Sequence, residues 1–368
     1  MKILNGTRLL ANIGLIPECQ RQVTMAFSSE SESRFYEQVT GEPFEREFGM
    51  RQSARRRGMQ FENNLFQNDA IKLQAALAPV LDIEPGTLYV RNLDLEELPP
   101  SRTTKKTQVT PGIHEGRVLR HARTRSIIAD SLDPTRRTKS PDLVIHPQLL
   151  IPVDGMKKPW LWVEPDFMVW VPKINRYVPG DLKSFVVEDR RIDPGDLVQA
   201  RLQIAAQIHA LEHCYQMMGE TFQHRNGLLV FSTPYGLQPA PVREFERLDG
   251  PYDVISKARE ALSRHAVKIS QALGDLESPR LNQVAFEAPN HYCENCIGSC
   301  IFAPYCAKDH HGTAQQLGDE AASILGSETS LGELLELLQG SVSPTESQKG
   351  LVEELRRTFL ELGLRWSA

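Results

Sequence analysis

Two groups of residues in this chain carry types and spacings that could do chemistry. The first is a set of carboxylates and a lysine. Asp166 follows Pro165 at the end of the run Trp162-Val163-Glu164, and Asp181-Leu182-Lys183 follows Gly180 with fourteen residues between the two aspartates. That separation suits a hairpin, which sets Asp166 and Asp181 side by side. Strand alternation puts Asp181 and Lys183 on one face. Paired carboxylates bind a hard divalent cation whose remaining positions water fills. Such a cation lowers the pKa of a bound water and stabilises charge on a phosphoryl oxygen. A neighbouring lysine can orient that water or, as the neutral amine, deprotonate it. Gln199, Gln203 and Gln207 follow at i, i+4 and i+8, on one stripe of the next predicted helix.

The second group is sulfur. Six cysteines stand at positions 19, 214, 293, 296, 300 and 306, and the last four read C-x2-C-x3-C-x5-C. Thiolates that close together are a soft-metal signal, met equally by tetrahedral Zn²⁺ or a [4Fe–4S] cluster. Without a secretory leader they argue against a disulfide framework. Cys214 falls in the pattern of the glutamine helix and reads as core. His310 and His311 could ligate zinc but read as an exposed pair; the other histidines are scattered and receive no role.

The elements that must position these groups follow from the apolar pattern. Residues 1–70 read as helical with a break at Ser28–Ser33, the pattern continues through 71–80, and Pro79 and Pro85 end it. Strands are predicted at about 143–152, 160–171 and 176–186. A helix follows at 197–218, then strands at 227–233 and 241–248, a helix at 252–275, and small Leu/Glu-rich helices over 316–368 broken at Gly340–Pro344. This order predicts an α/β or α+β core dressed by helices.

The chain has 368 residues, of which 40% are hydrophobic and 24% charged, with a net charge of −5. Those values exclude wholesale disorder, collagen and coiled coil. No apolar run is long enough for a membrane span, and the N-terminus lacks a leader's pattern, so a cytoplasmic location is expected. Residues 101–140 differ: they carry a local balance of +7. They form either a solvated insertion or an arm that neutralises phosphates. A second basic patch holds Arg55, Arg56 and Arg57. There is no G-x-x-x-x-G-K-[ST], so any helicase would be a separate chain.

These motifs together resemble the PD-(D/E)xK nuclease superfamily in its RecB-like branch. Pro165-Asp166 matches the first half of the motif and Asp181-Leu182-Lys183 the second. Gly58-Met59-Gln60-Phe61-Glu62 resembles the upstream glycine-to-acid motif, and Gln203 the start of a Gln-x-x-x-Tyr motif whose tyrosine is here Gln207. The resemblance implies a restriction-endonuclease-like core, a mixed sheet flanked by helices. It implies that Glu62, Asp166 and Asp181 hold Mg²⁺ or Mn²⁺, that Lys183 positions the attacking water, and that Gln203 contacts DNA or braces the site. The cysteines resemble those of the iron–sulfur members, the CRISPR-associated exonucleases and the second subunit of the AddAB helicase–nuclease. In these one cysteine precedes the core and three follow it. That implies a [4Fe–4S] cluster on Cys19, Cys296, Cys300 and Cys306, with Cys293 the alternative ligand, joining the N- and C-terminal parts; a local zinc site on the last four stays open. The expected organisation is a nuclease domain over residues 1–312, with a basic insertion at about 101–140, and a helical extension over 313–368. The expected activity is metal-dependent DNA cleavage on single strands or ends. The partners it implies are DNA and a separate helicase or other DNA-processing subunit. The rivals are a non-catalytic DNA-binding or assembly subunit and a zinc-stabilised protein.

Overall fold

The computed structural model describes residues 6–16, 19–25, 27, 32–44, 52–94, 113–152, 160–186, 194–233, 237–273, 278–288, 292–293, 296, 300–308, 313–314 and 319–361. The chain forms two compact units, Met1–Pro17 with Met50–Leu276, and Glu18–Gly49 with Glu277–Ala368.

The first unit is mixed α/β. Its six-stranded sheet runs β1 (Val90–Asn92), β2 (Leu143–Ile145), β5 (Phe167–Val171), β6 (Arg176–Val186), β7 (Asn226–Ser232) and β8 (Glu246–Arg247). The pairs β1/β2 and β6/β7 are parallel and the other three antiparallel, so the sheet is mixed. A separate two-stranded ribbon pairs β3 (Leu149–Pro152) with β4 (Trp160–Val163). Helices α1 (Gly6–Leu15), α4 (Gln52–Leu81), α5 (Ile113–Leu132), α6 (Pro194–Gln216) and α7 (Asp249–Leu273) complete the unit.

Alternation along the strands divides the sheet's two faces. Leu143, Ile145, Phe167, Val169, Val178, Leu228 and Val230 pack with Phe61, Leu65, Leu73 and Leu77 of α4. The alternate residues lie toward α6, whose Ile204 occupies the space over Gly227: a Cβ there would lie 2.2 Å from Ile204 Cγ2. A polar stripe on α6 therefore meets Asp181 and Lys183.

Four sequence expectations change here. The predicted strands 143–152 and 160–171 are each broken in two. Pro147 and Pro165 stand in the opposed gaps between β2/β5 and β3/β4, where proline cannot donate to a ladder. His146 turns the chain there with φ +52°. Pro79 does not end its helix. Buried Ala76 and Leu77 hold the last turn, and Asp82 at φ +57° caps it, its N–H reaching the Ala78 carbonyl. The same helix is interrupted at Gln67–Ala70. Of the strand predicted over 241–248 only Glu246–Arg247 pairs. The basic stretch, where described, is neither loop nor free arm: α5 buries Thr124, Ile127 and Ile128, and a 3-10 turn spans Arg137–Lys139. Residues 101–112 lie outside the described set.

The second unit gathers α2 (Gln20–Met25), α3 (Glu32–Thr40), α8 (Ser278–Glu287), α9 (Ala303–Ala307), α10 (Asp319–Leu325), α11 (Leu331–Gln339) and α12 (Glu346–Glu361). Its last three helices share a core of Leu325, Leu334, Leu337, Leu338 and Val352. Ser330 and Glu333 form a capping box on α11, and Gly340 at φ +81° stops it. Among the described residues, no helix is long and apolar enough to cross a membrane.

Candidate functional site

The carboxylates predicted to converge do so at the break in the sheet. Register pairs Phe167 with Gly180, which sets Asp166 and Asp181 next to one another one step beyond that pair. Gly180 is required: a Cβ would fall 2.0 Å from Phe167 Cζ. Asp166 Oδ2 accepts the Leu182 N–H at 2.6 Å. Asp181 is buried, and Lys183 is ion-paired to its Oδ2. Lys183 Nζ also donates to Gln203 Oε1 at 2.5 Å, and Gln207 Nε2 lies 3.4 Å from Asp181 Oδ1. Gln207 is fully buried, and its Oε1 has no hydrogen-bond partner among the described residues. Burial first, then the negative charge of Asp181, push the Asp166 carboxyl well above the usual range; Lys183 and the Leu182 N–H oppose this, and Glu62 adds to it.

Glu62 arrives on α4, which passes close to β6 at Gly58: a Cβ on Gly58 would lie 3.8 Å from Ser184 Oγ. Glu62 Oε1 lies 3.2 Å from His146 Nε2. The sequence reading missed this histidine. His146 sits at the break, its N–H donating to the Asp166 carbonyl at 3.0 Å and its ring edge-on to Phe66. Its other neighbours are Asp94 Oδ2 at 3.6 Å and Glu164 Oε1 at 4.0 Å. Asp94, His146 and Glu164 offer ligand atoms within 4.8 Å of one another. Arg120 of α5 donates to both of these carboxylates, at 2.5 Å to Asp94 and 2.9 Å to Glu164. Burial alone would lower the His146 pKa, but Glu62, Asp94 and Glu164 raise it overall. The available sequence signal was a His-Pro pair closing an apolar strand and facing Glu-Pro on the next.

This neighbourhood has more carboxylates than cations. Asp166 and Asp181 lie together with Lys183 as their local ammonium, and burial first, then the charge of Asp181, raise Asp166; Glu62 reaches Asp166 only as a weaker charge and does not gather with the two aspartates within 4.8 Å. A divalent cation relieves that repulsion, so the donor set fits a hard metal. Of the predicted basic patch, Arg56 is exposed and Arg57 half-buried, and the Arg55 side chain lies outside the described set.

The cysteines form a second centre, inside the second unit. Cys19, Cys293, Cys296, Cys300 and Cys306 are all buried. Cys293 Sγ lies 3.7 Å from Cys296 Sγ, and the Cys293 N–H points to Cys296 Sγ at 3.4 Å. Burial raises Cys19 and Cys300, each of which also feels a further cysteine; the hydrogen bond with Cys293 and then burial raise Cys296. Among the described residues no three of these sulfurs lie within 4.8 Å of one another. Arg21 Nη1 donates to Cys306 Sγ at 2.7 Å. Cys214 is separate, buried in α6 and pushed up to about 12 by burial. His310 and His311 lie outside the described residues. Compared with protein-family models, curated proteins and solved structures, the chain matches none.

Proposed function

We propose that this chain is a metal-dependent DNA nuclease of the PD-(D/E)xK type, RecB-like branch, with an iron–sulfur cluster in its second unit. The observation that carries the proposal is the set around Asp181. Asp166 lies beside it across paired strands, Lys183 is bound to it from the same face, and Gln203 holds Lys183 from the next helix. Glu62, Asp166 and Asp181 would hold Mg²⁺ or Mn²⁺. The ion would supply Lewis acidity and a water of lowered pKa. Lys183 is placed to orient that water and to steady charge on the phosphoryl oxygens. Gln203 fixes the lysine, and His146 fixes Glu62. Arg55, Arg56 and Arg57 on α4 would contact the backbone phosphates of a single strand or an end, which loses affinity with salt.

The donor set of five buried thiols fits a soft centre. The spread of the sulfurs supports a cluster over a single ion. Tetrahedral zinc with bonds of about 2.3 Å gathers its thiolates to roughly 3.8 Å from one another. Here, among the described residues, no three of the sulfurs lie within 4.8 Å of one another. The partners that fit this reading are DNA and a separate helicase or other DNA-processing subunit.

The test is cleavage of end-labelled single-stranded DNA with Mn²⁺, Mg²⁺ or chelator. Wild type should cut only with metal, and Asp166→Ala should bind DNA without cutting it. Undiminished cutting by Asp166→Ala, or none by metal-loaded wild type, would overturn the proposal.

A further inference from the structure

Arg21 is a buried charge that, among the described residues, has no carboxylate partner. Its residue is 4% exposed. Nε donates to the Ala285 carbonyl and Nη2 to the Ala288 carbonyl, both at 2.9 Å. The remaining arm, Nη1, donates to Cys306 Sγ at 2.7 Å. The guanidinium also lies over the rings of Phe302 and Tyr305, at 5.9 and 5.3 Å from their centroids. Among the described residues no acidic side chain pairs with it.

Arginine keeps its charge in protein interiors. Burying it is costly unless an anion faces it. Two carbonyls and two ring faces soften that cost but bring no net negative charge. Among the described residues, the groups around it that can become anionic are sulfurs: Cys306 by direct contact, with Cys19 and Cys300 within electrostatic reach. As protonated thiols they are neutral and leave the guanidinium uncompensated. As thiolates on a soft metal they carry the charge it lacks.

We infer that Arg21 is the counter-ion of an anionic metal–thiolate centre, and that Cys306 is one of that centre's ligands. The inference deepens the cluster reading above and rests on it. It gives Arg21 a second consequence. Reducing an iron–sulfur centre adds negative charge beside a fixed positive one, so Arg21 favours the reduced state. Arg21 thus helps set both how firmly the metal is held and how easily the centre is reduced.

The full chain is purified without oxygen as wild type, Arg21→Lys, Arg21→Gln and Cys306→Ser. Iron, sulfide and zinc are counted, metal loss to a chelator is timed, and the reduction potential of any iron centre is titrated. Arg21→Gln should lose metal about 10–100-fold faster than wild type, the usual scale for an outer-shell partner. Its potential should move to more negative values. Arg21→Lys keeps the charge and should recover part of both effects, and Cys306→Ser should lower the metal content. If Arg21→Gln does not fold, an Arg21→Lys protein that folds and keeps its metal still supports the charge. Equal retention and potential in wild type and Arg21→Gln would overturn the inference. So would an Arg21→Lys protein as leaky as Arg21→Gln, since the loss would then follow from the carbonyl bonds and not from charge. A wild type holding neither iron with sulfide nor zinc overturns the centre itself, whatever the variants do.

Discussion

Replacing Gly180 by alanine adds one methyl group at the point where the fold brings the two aspartates together. That methyl carbon would fall 2.0, 2.3 and 2.5 Å from Phe167 Cζ, Cε2 and Cε1. No carbon pair tolerates such distances, so the Phe167 ring must move. It has nowhere to go, because Phe167 is fully buried in one cluster with Phe61, Ile145 and Val169. Overpacking of this kind costs about 1–3 kcal/mol when the surroundings yield. Full expulsion of the ring approaches the roughly 3–5 kcal/mol of a Phe→Ala change. Phe167 is bonded to Asp166 and Gly180 to Asp181, so ring and strand movement shifts both carboxylates. A displacement near 1 Å costs on the order of 10²-fold in rate. The assays are urea unfolding followed by circular dichroism and Mn²⁺-dependent DNA cleavage. Phe167→Leu in the same chain should restore part of the stability by removing the ring edge. A Gly180→Ala protein within about 0.5 kcal/mol of wild type, the range of neutral surface changes, would refute the packing argument.

His209 is buried against Tyr252 with its Nε2 at 3.0 Å from that residue's carbonyl, and burial brings its pKa down to about 4. The folded value lies below the unfolded one, so its stabilising share is complete above about pH 6.5 and lost as pH falls toward 4. The loss reaches roughly 2 kcal/mol by pH 5, and urea titrations at pH 7 and 5 should show that difference in wild type but not in His209→Gln. His146→Asn keeps a residue tolerant of the left-handed backbone but ends its reach to Glu62. Mn²⁺ affinity measured by calorimetry should fall about 10–100-fold, and an unchanged affinity would remove His146 from the site. Cys214→Ala should leave iron and zinc content unaltered, because Cys214 packs inside α6 of the first unit and the other five belong to the second; lost metal would reassign it.

Much of the site was legible because it depends on short periods. Asp181 and Lys183 share a face by strand alternation, and Gln203 meets Lys183 from one stripe of α6. The mixed α/β class followed from the order of strands and helices. What stayed hidden depends on distant pairing. Residues 143–152 read as one strand, and only the opposition of Pro147 to the segment around Pro165 breaks it and turns His146 inward. By composition the arginines of α5 and the turn after it suited either a solvated insertion or phosphate contacts. Arg120 is instead engaged with Asp94 and Glu164, and Arg137 with Asp142 and the Trp170 ring. Cys19-Gln20-Arg21 resembles the Cys-Pro-Arg-like run of the iron–sulfur nucleases, but the contacts of Arg21 with Cys306 and two carbonyls 264 to 285 residues away come only from the fold.

The proposed chemistry requires Glu62, Asp166 and Asp181 to share one divalent cation. Direct Mn²⁺ binding, followed by electron paramagnetic resonance on wild type, Glu62→Gln and Asp181→Asn, measures that without needing a substrate. The predicted result is one bound Mn²⁺ per wild-type chain and marked loss of it in both variants. Binding that survives in Asp181→Asn at wild-type strength would contradict the shared site.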